Sequence, residues 1–279
     1  MKKLLIITDL DASFIDDNYQ YSEAQEAIEQ LAARDFPLIF NSSKTLAEIE
    51  SLADELALTT PLIAENGGIV AVPESSPLAA FCDDSGWHSD QGYRTLITGL
   101  SRDFIIEHAH AARDEHGYQF TGFSDMSDQE LSELTGLSIE AAKMARQRHV
   151  SEPILWKDNE ENWERFQKTL HSQGIRTLRG GRFIHLMGPA DKADGLQAAR
   201  DLYQKCNPHS FLTTVALGDS ANDQSMLEAA DIGIIIPHAD GVKVHPAGTH
   251  ILQAPYPASK GWNHSILKLL STFELTQPI

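Results

Sequence analysis

Strand-like and helix-like segments alternate from the first residues of the chain. Short apolar runs at residues 4–8, 37–40 and 61–64 are typical of buried strands. Amphipathic patterns at residues 22–34 and 45–56 separate these runs and have the spacing of helices. A βαβαβ order predicts a parallel sheet covered by helices, because each crossover between parallel strands carries a helix. The expected fold class is therefore α/β.

The alternation is interrupted in the middle of the chain. Prolines and a polar stretch after Val72 mark an exit from the core, and the alternation resumes after Pro189. The predicted domains are a core of residues 1–82 and 188–279 and an inserted α+β domain of residues 83–187. The insert is expected to have its own sheet and to contain a long helix at residues 94–115 near its beginning.

Two carboxylates follow the first strand directly, and two more follow a later one. Asp9 and Asp11 come after the first apolar run, and Asp219 and Asp223 come after the run at residues 213–217. Parallel strands end at a common edge, so neighbouring strands would bring the four carboxylates together. Oxygen ligands in this number, with no Cys or His among them, favour magnesium over zinc. Taken singly, the acids have alternative explanations: a polar turn for Asp-x-Asp and helix capping for Asp223.

Two further strand ends supply groups that suit an anion. Ser42, Ser43 and Lys44 follow the second strand and precede a helix, whose N-terminal amides favour phosphate. Lys192 opens another helix, where a cation opposes the helix dipole unless an anion compensates it. A simple N-cap at Ser42 or Ser43 and an ordinary surface lysine at 192 are the alternatives.

Taken in order, these segments resemble the haloacid dehalogenase superfamily of phosphotransferases, whose motifs are Asp-x-Asp, Ser or Thr, Lys, and Gly-Asp-x-x-x-Asp. The corresponding segments of this chain are Asp9-Leu10-Asp11, Ser42, Lys192 and Gly218-Asp219-Ser220-Ala221-Asn222-Asp223. The resemblance implies a Rossmannoid core with a parallel sheet and an inserted cap. One position departs from the pattern: many relatives have Gly after the second acid, whereas this chain has Ala12, which accepts a positive φ less readily.

Other segments resemble one group within that superfamily, the mannosyl-3-phosphoglycerate phosphatases. These segments are residues 41–45, 64–68, 151–155 and 179–185. The resemblance implies a magnesium-dependent phosphatase with a C2B-type cap that hydrolyses a glycosyl-3-phosphoglycerate to a glycosylglycerate, which is an osmolyte. Mannose and glucose both remain open, because they differ in the configuration of one hydroxyl group.

The resemblance also implies roles for individual residues. Asp9 would be the nucleophile that forms an aspartyl phosphate, and Asp11 would act as general acid and then as general base. Ser42 and Lys192 would hold the phosphoryl oxygens. The expected Mg²⁺ ligands are Asp9, the backbone carbonyl of Asp11, Asp219 and Asp223. The expected substrate contacts and helpers are Ser13, Ser43, Lys44, Glu65, Asn66, Gly67, Gly68, Arg182 and Asn222.

The insert separates the second motif from the third, so we expect it to cover the site as a lid. Arg182 and His185 lie three positions apart on one predicted strand of the insert, and they therefore point to opposite faces. We expect Arg182 to meet the carboxylate or sugar of the substrate, because a guanidinium suits such groups, and the other side chain to pack.

Bulk properties restrict the partners. The formal net charge of -18 argues against a nucleic-acid partner, because a phosphate backbone needs a basic surface. The small phosphorylated sugar–glycerate substrate that the resemblance implies would need magnesium and local cations to overcome this charge. No apolar stretch is long enough to span a membrane and no signal peptide is recognisable, so the predicted location is cytoplasmic. Cys82 and Cys206 have no disulfide or metal spacing and are expected to be reduced. The oligomeric state is not predicted.

Other functions fit parts of the pattern. Within enzymes, a sugar-phosphate phosphatase or a phosphomutase of the same superfamily would use the same acids. A phospho-aspartate receiver of a signalling protein also has an acidic cluster on a parallel sheet, but it needs neither a general acid at Asp11 nor an insert over the site. A catalytically silent binding protein is disfavoured by the complete acidic set.

Overall fold

A computed structural model of the chain describes residues 2–83 and 85–275, so residue 1, residue 84 and residues 276–279 of the predicted domains lie outside the described residues. The strands are β1 (Lys2–Thr8), β2 (Leu38–Asn41), β3 (Leu62–Ala64), β4 (Ile69–Pro73), β5 (Trp87–Asp90), β6 (Tyr93–Ile97), β7 (Phe120–Gly122), β8 (Ser151–Trp156), β9 (Arg176–Arg179), β10 (Ile184–Met187), β11 (Phe211–Gly218), β12 (Ile232–Ile235) and β13 (Ile251–Gln253). The α-helices are α1 (Gln25–Ala32), α2 (Leu46–Glu55), α3 (Arg102–His116), α4 (Asp128–Thr135), α5 (Ile139–Arg146), α6 (Glu160–Ser172), α7 (Lys192–Cys206), α8 (Gln224–Ala229) and α9 (Ala258–Leu275).

The larger sheet has nine strands in the order β13-β12-β11-β1-β2-β3-β4-β6-β5. The strands from β13 to β3 are parallel, and β4, β6 and β5 extend the sheet with antiparallel pairing. β1 lies in the middle, between β11 and β2, so three carboxyl-terminal strand ends meet at one edge. The predicted α/β fold with a mostly parallel central sheet is confirmed.

Alternate residues of β1 are buried on opposite faces of the larger sheet. Leu4 and Ile6 belong to a core that includes Trp262 of α9, whereas Leu5 and Ile7 belong to a core that includes Leu196 of α7. A sheet covered on both faces needs apolar side chains on both, which explains the continuous apolar run of β1. The buried strand therefore holds the residue that follows it in a fixed position.

The insert has a second sheet, in the order β7-β8-β10-β9, and all of its strand pairs are antiparallel. Helices α3 and α6 cover one face, where Ile105, Phe166 and Leu170 form a separate core with Ile154 and Leu186 of the strands. α5 also approaches the core domain, because the Thr45 hydroxyl donates to the Met144 carbonyl at 2.9 Å.

The predicted helix at residues 94–115 is wrong in its first part. Residues 93–97 form β6, which pairs with both β4 and β5 in the larger sheet, and α3 begins only at Arg102. Gly99 separates the two elements, and the Ser101 hydroxyl caps α3 by accepting a hydrogen bond from the Phe104 amide. We therefore propose that the inserted domain begins near residue 101 rather than at residue 83.

Within the part of the chain that the structure describes, no helix combines the length and apolar character needed to cross a membrane. Cys82 is buried and Cys206 is partly buried, and both are free thiols.

Candidate active site

Asp9 and Asp219 lie at adjacent strand ends. The Asp9 amide donates to the Leu217 carbonyl at 2.9 Å, which continues the parallel pairing of β1 with β11 by one residue. Gly218 ends β11, and a Cβ atom at this position would lie 2.4 Å from the Cβ atom of Asp223. The glycine therefore lets the turn fold tightly enough to bring Asp223 back to the strand end.

Three carboxylates meet at this edge: Asp9, Asp219 and Asp223 each offer an oxygen atom within 4.8 Å of the others. Lys192 at the start of α7 completes the cluster, with its Nζ atom 2.6 Å from Asp9 Oδ1 and 2.6 Å from Asp223 Oδ1. The lysine side chain is fully buried. Its position at a helix N-terminus, which looked unfavourable in the sequence, is explained by this pair of carboxylates.

The electrostatics of the cluster fit a bound cation. Burial raises the pKa of Asp9 well above its ordinary value; Lys192 opposes this shift, and the neighbouring Asp223 and Asp219 add to it. Burial, followed by the charge of Asp223, also raises the pKa of Asp219. Burial alone would lower the pKa of Lys192, but the attraction of Asp223 and Asp9 raises it. Three carboxylates face a single ammonium, so a divalent metal would balance the charge, and carboxylate oxygens suit hard cations.

Two other side chains fix Asp219. The Ser13 hydroxyl donates to Asp219 Oδ1 at 3.0 Å, and Nε2 of His238 lies 2.7 Å from Asp219 Oδ2. Ser13, expected as a substrate contact or helper, thus orients a member of the acidic cluster. His238 was missed in the sequence, although it follows β12 closely and thus lies at the same sheet edge as the acids.

Asp223 combines the two roles considered for it. Its Oδ2 atom accepts hydrogen bonds from the Asp219 and Ser220 amides, both at 3.0 Å, while Oδ1 faces Lys192. One oxygen therefore satisfies backbone donors at the turn, as a capping residue does, and the other faces the site.

Asp11 lies outside the cluster of three carboxylates. Its Oδ2 atom is 2.8 Å from the Lys44 Nζ atom, and 47% of its side chain is exposed, compared with 8% for Asp9. The two acids of the Asp-x-Asp motif therefore occupy different environments, one buried among charges and one at the surface. Ala12 between Asp11 and Ser13 has a φ of +59°, the left-handed conformation that raised doubt about an alanine here.

The loop after β2 is held by hydrogen bonds of Ser42 to backbone amides. Ser42 is buried, its hydroxyl accepts from the Lys44 amide at 3.2 Å, and its carbonyl accepts from the Asn66 amide at 2.9 Å. Ser43 is partly buried beside it. The N-cap of α2 is Thr45, which forms a capping box with Glu48, so neither serine has the simple capping role.

Asn66 and Asn222 are brought together, because the side-chain Nδ2 atom of Asn222 donates to Asn66 Oδ1 at 2.9 Å. Gly67 and Gly68 instead pack against protein: a Cβ atom at Gly67 would lie 1.9 Å from the Asp191 carbonyl oxygen, and one at Gly68 would lie 2.6 Å from Val150 Cγ2. The glycines thus allow close contact with the chain just before Lys192 and with the insert.

Glu65 binds the insert. Its buried carboxylate accepts hydrogen bonds from the His149 amide at 2.6 Å, the Val150 amide at 3.2 Å and the Ser151 hydroxyl at 2.5 Å. The Arg148 guanidinium lies 3.9 Å from the carboxylate and the His149 imidazole lies 3.7 Å from it. Burial would raise the pKa of Glu65, but these partners outweigh it and lower the pKa. The side chain expected to contact substrate therefore joins the two sheets.

Arg182 is directed towards the insert and not towards the acidic cluster: its exposed side chain donates to the Leu134 carbonyl at the end of α4. His185 packs, and burial, followed by the charge of Arg148, lowers its pKa to about 4.

A cavity of about 280 Å³ adjoins the cluster between β9 and the loop after β11. Asn66, Asn222 and Lys192 line it together with Arg176 of the insert. Arg176 donates hydrogen bonds to the Gly188 and Ala190 carbonyls, so it also fixes the position of the segment that leads to Lys192. Its role was not visible in the sequence, where an arginine on an isolated strand has no distinguishing pattern.

Known proteins resemble this chain over nearly its whole length. The profile of a family described as haloacid dehalogenase-like hydrolase matches residues 6–251. A glucosyl-3-phosphoglycerate/mannosyl-3-phosphoglycerate phosphatase of Methanococcoides burtonii is 35% identical over 271 residues, which cover 96% of this chain and 97% of that protein. A protein of the same name from Persephonella marina is 32% identical over 275 residues, covering 97% and 98%.

Solved structures share the fold at low sequence identity. The sucrose-phosphatase of Synechocystis, determined in complex with sucrose and phosphate, superimposes with a TM-score of 0.57 at 15% identity, covering 98% of this chain and 99% of that one.

Proposed function

Because the chain belongs to the haloacid dehalogenase-like hydrolase family and is a phosphoric monoester hydrolase, we propose that its substrate is glucosyl-3-phosphoglycerate or mannosyl-3-phosphoglycerate and its cofactor Mg²⁺. The observation that carries the proposal is the difference between the environments of Asp9 and Asp11. One carboxylate is buried and held by Lys192, and the other is exposed and paired with Lys44. The buried carboxylate, fixed by Lys192, suits a nucleophile, and the exposed one can exchange a proton with water and with a leaving oxygen, as a general acid and base must.

In the proposed mechanism an Asp9 carboxylate oxygen attacks phosphorus, and the bond from phosphorus to the glycerate oxygen breaks. Asp11 gives its proton to the departing oxygen and later takes a proton from the water that hydrolyses the aspartyl phosphate. The products are glycosylglycerate and inorganic phosphate. Lys192 and the Ser42 hydroxyl bind phosphoryl oxygens and stabilise the charge that develops there.

The residues proposed to hold Mg²⁺ are Asp9, Asp219, Asp223 and the backbone carbonyl of Asp11. When bound there, the ion would screen the Asp9 carboxylate from the anionic phosphoryl group and polarise the phosphoryl oxygens. Ser13 and His238 would keep Asp219 in place for this purpose, since each contacts one of its two oxygens.

The proposed contacts to substrate are Ser43, Lys44, Asn66, Asn222 and Arg182. Asn66 and Asn222 border the cavity beside Lys192, and Lys44 lies beside the proposed proton donor. Arg182 would need to leave the Leu134 carbonyl. Glu65, Gly67 and Gly68 act differently in this proposal: Glu65 and Gly68 contact the insert, and Gly67 packs against the chain just before Lys192, so that none of them touches the substrate.

The test is release of inorganic phosphate from both glycosyl-3-phosphoglycerates and from simple sugar phosphates, with Mg²⁺ and with EDTA. We expect selective, magnesium-dependent release from at least one glycosyl-3-phosphoglycerate. Asp9→Asn should lower kcat by roughly a thousandfold or more, while Asp201→Asn, an exposed acid on α7, should leave kcat unchanged.

Preference for simple sugar phosphates would overturn the substrate assignment. Transfer of phosphate to a second sugar position without release of free phosphate would indicate a phosphomutase. Full activity of Asp9→Asn would remove the proposed nucleophile.

A further inference from the structure

Tyr19 is a large aromatic residue that is exposed to solvent in the folded chain. It lies on the loop that follows the Asp-x-Asp motif, and 67% of its surface is exposed. The loop is nevertheless well tied: Asp16 Oδ1 accepts from the Asn18 amide at 2.8 Å and from the Gln20 amide at 2.9 Å. The Tyr19 amide donates to the Asp16 carbonyl at 2.9 Å. An ordered loop that holds an aromatic ring outwards suggests that the ring has a partner.

The backbone at Tyr19 supports the same interpretation. Its φ is +58°, in the left-handed region that bulky residues avoid. Uncommon backbone geometry of this kind persists where the surrounding bonds impose it, and it is concentrated at ligand sites. Here the Asp16 hydrogen bonds impose it and direct the ring away from the core.

The ring lies beside the proposed proton donor. The Lys44 Nζ atom is 5.3 Å from the centre of the Tyr19 ring and 2.8 Å from Asp11 Oδ2. The Lys44 ammonium thus contacts both the Asp11 carboxylate and the Tyr19 ring. Lys44 is itself 21% exposed, so an anion arriving from solvent can reach it.

We propose that Tyr19 is a specificity residue that contacts the sugar ring of the substrate while Lys44 binds the glycerate carboxylate. The inference rests on the proposed function. In 3-phosphoglycerate the only free hydroxyl is on C2, so the sugar is attached there, next to the carboxylate carbon. Four bonds separate the ester oxygen on C3 from the anomeric carbon, which at about 1.5 Å a bond places the sugar roughly 5 Å from the atom that Asp11 protonates.

That spacing fits the two contacts of Lys44, which lies 2.8 Å from Asp11 Oδ2 and 5.3 Å from the centre of the Tyr19 ring. The carboxylate would lie within reach of Lys44 and the sugar would continue to the tyrosine ring. The apolar C–H face of a hexose can cover an aromatic face and release water from both, and the ring's rigidity keeps the entropy cost low. The Tyr19 hydroxyl is not required for such contact.

The test compares three substrates with wild-type protein, Tyr19→Phe and Tyr19→Ser in the presence of Mg²⁺. The substrates are the preferred glycosyl-3-phosphoglycerate, 3-phosphoglycerate without the sugar, and p-nitrophenyl phosphate. We expect Tyr19→Ser to lower kcat/KM about tenfold for the glycosylated substrate, mainly through KM, and to change the other two by less than about twofold. Tyr19→Phe should stay within about twofold of wild type on all three.

A matched control is Phe211→Ser, which removes an aromatic ring that is 76% exposed at the opposite end of the sheet. It should leave all three substrates unaffected. An equal loss of kcat/KM on all three substrates in Tyr19→Ser would show that the loop positions the catalytic groups, and it would overturn the inference. Wild-type kcat/KM of Tyr19→Ser on all three substrates would overturn it as well. Failure of wild-type protein to hydrolyse any glycosyl-3-phosphoglycerate, with p-nitrophenyl phosphate still hydrolysed, would overturn the proposed substrate and the inference together.

Discussion

Ala12 is a residue whose type conflicts with its backbone. Its φ of +59° is a conformation in which a Cβ atom crowds the following carbonyl and in which glycine is relaxed. We predict that Ala12→Gly raises the free energy of unfolding by about 0.5 kcal/mol, because relief of crowding exceeds the added entropy of the unfolded chain. Urea unfolding with a common slope for both proteins measures the difference.

Ala57 supplies the comparison, since it has a φ of +50° just after α2. Ala57→Gly should give a similar gain in stability without altering turnover. If Ala12→Gly alone lowers kcat, the alanine is retained to hold Asp11 and Ser13 in place. A loss of stability in Ala12→Gly would mean that the left-handed conformation is not crowded at this position.

Single residues of the site differed in how far the sequence could predict them. Asp9, Asp219 and Asp223 were recognisable because strands of a parallel sheet end together, so adjacency follows from order along the chain. His238 obeys the same rule, but a lone histidine after a strand is not distinctive. Arg176 approaches the site only through the packing of the insert on the core, which no local pattern reports.

At the scale of elements, the join between the sheets depends on charged groups. Glu65 accepts hydrogen bonds from the start of β8, and His149 lies between Glu65 at 3.7 Å and Asp90 of β5 at 3.3 Å. The interaction with Glu65 raises the pKa of His149, against the effect of burial. The pKa of Glu65 is lowered. The contact is therefore strongest when Glu65 is ionised and His149 is protonated.

The signs of these shifts set a pH window. The Glu65 contribution is present above its unfolded pKa of about 4.5 and is lost as the pH falls through its lower folded pKa. The His149 contribution is present below its unfolded pKa of about 6.5 and is lost as the pH rises through its higher folded pKa. We predict that the free energy of unfolding, measured in urea, falls between pH 6 and pH 8.5, and that a part of this fall on the order of 1 kcal/mol is missing in His149→Gln.

Glu65→Gln tests the same join directly. A neutral side-chain amide cannot accept hydrogen bonds from all three donors as the carboxylate does. We therefore predict that the free energy of unfolding falls by about 3 kcal/mol and that hydrogen exchange at the His149 and Val150 backbone amides becomes faster. Glu50→Gln is the control, because Glu50 accepts only from the Tyr93 hydroxyl among the hydrogen bonds of the described residues and lies within the core domain. Unchanged exchange in Glu65→Gln would show that the seating of the insert depends on other contacts.

Elements were predicted well where strands were fully buried or helices were amphipathic, and poorly where strands were partly exposed. The βαβαβ order was evident because each run is buried on both faces or amphipathic. β5 and β6 were missed, since partly exposed strands of four or five residues have a weak pattern, and Arg94 to Leu96 also fits a helix. Antiparallel extension of the sheet depends on partners that only the folded chain supplies.

At the scale of the whole molecule, the acidic cluster links metal binding to stability. Without a metal, the raised pKa values of Asp9 and Asp219 mean that the folded state becomes less favourable as the pH rises through them. We predict that Mg²⁺ at about 100 times its Kd adds about 2.7 kcal/mol, which for a chain of this size raises Tm by roughly 5–10 °C over the value in EDTA. The increment should be larger at pH 8 than at pH 5.5.

Asp219→Asn should abolish most of this increase in Tm, because Asp219 is one of the three carboxylates of the cluster. Asp231→Asn is matched to it: Asp231 accepts from the Thr214 amide and hydroxyl, both at 2.8 Å, in the middle of β11 and away from the cluster. That variant should lower Tm in EDTA and keep the full response to Mg²⁺. An equal response in wild type and Asp219→Asn would place the metal elsewhere.

The net charge of -18 acts on every encounter with an anionic substrate. A net negative charge repels a phosphate dianion at long range, whereas Lys44 and Lys192 attract it only nearby. Because salt screens charges beyond about 8–10 Å more than close pairs, added KCl at fixed Mg²⁺ removes repulsion before it removes attraction. We predict that kcat/KM rises between 20 and 200 mM KCl, and rises more for a glycosyl-3-phosphoglycerate, which carries an additional carboxylate, than for p-nitrophenyl phosphate. A fall in kcat/KM with salt, steeper for the more highly charged substrate, would mean instead that local cations dominate the approach and that the global charge serves another purpose.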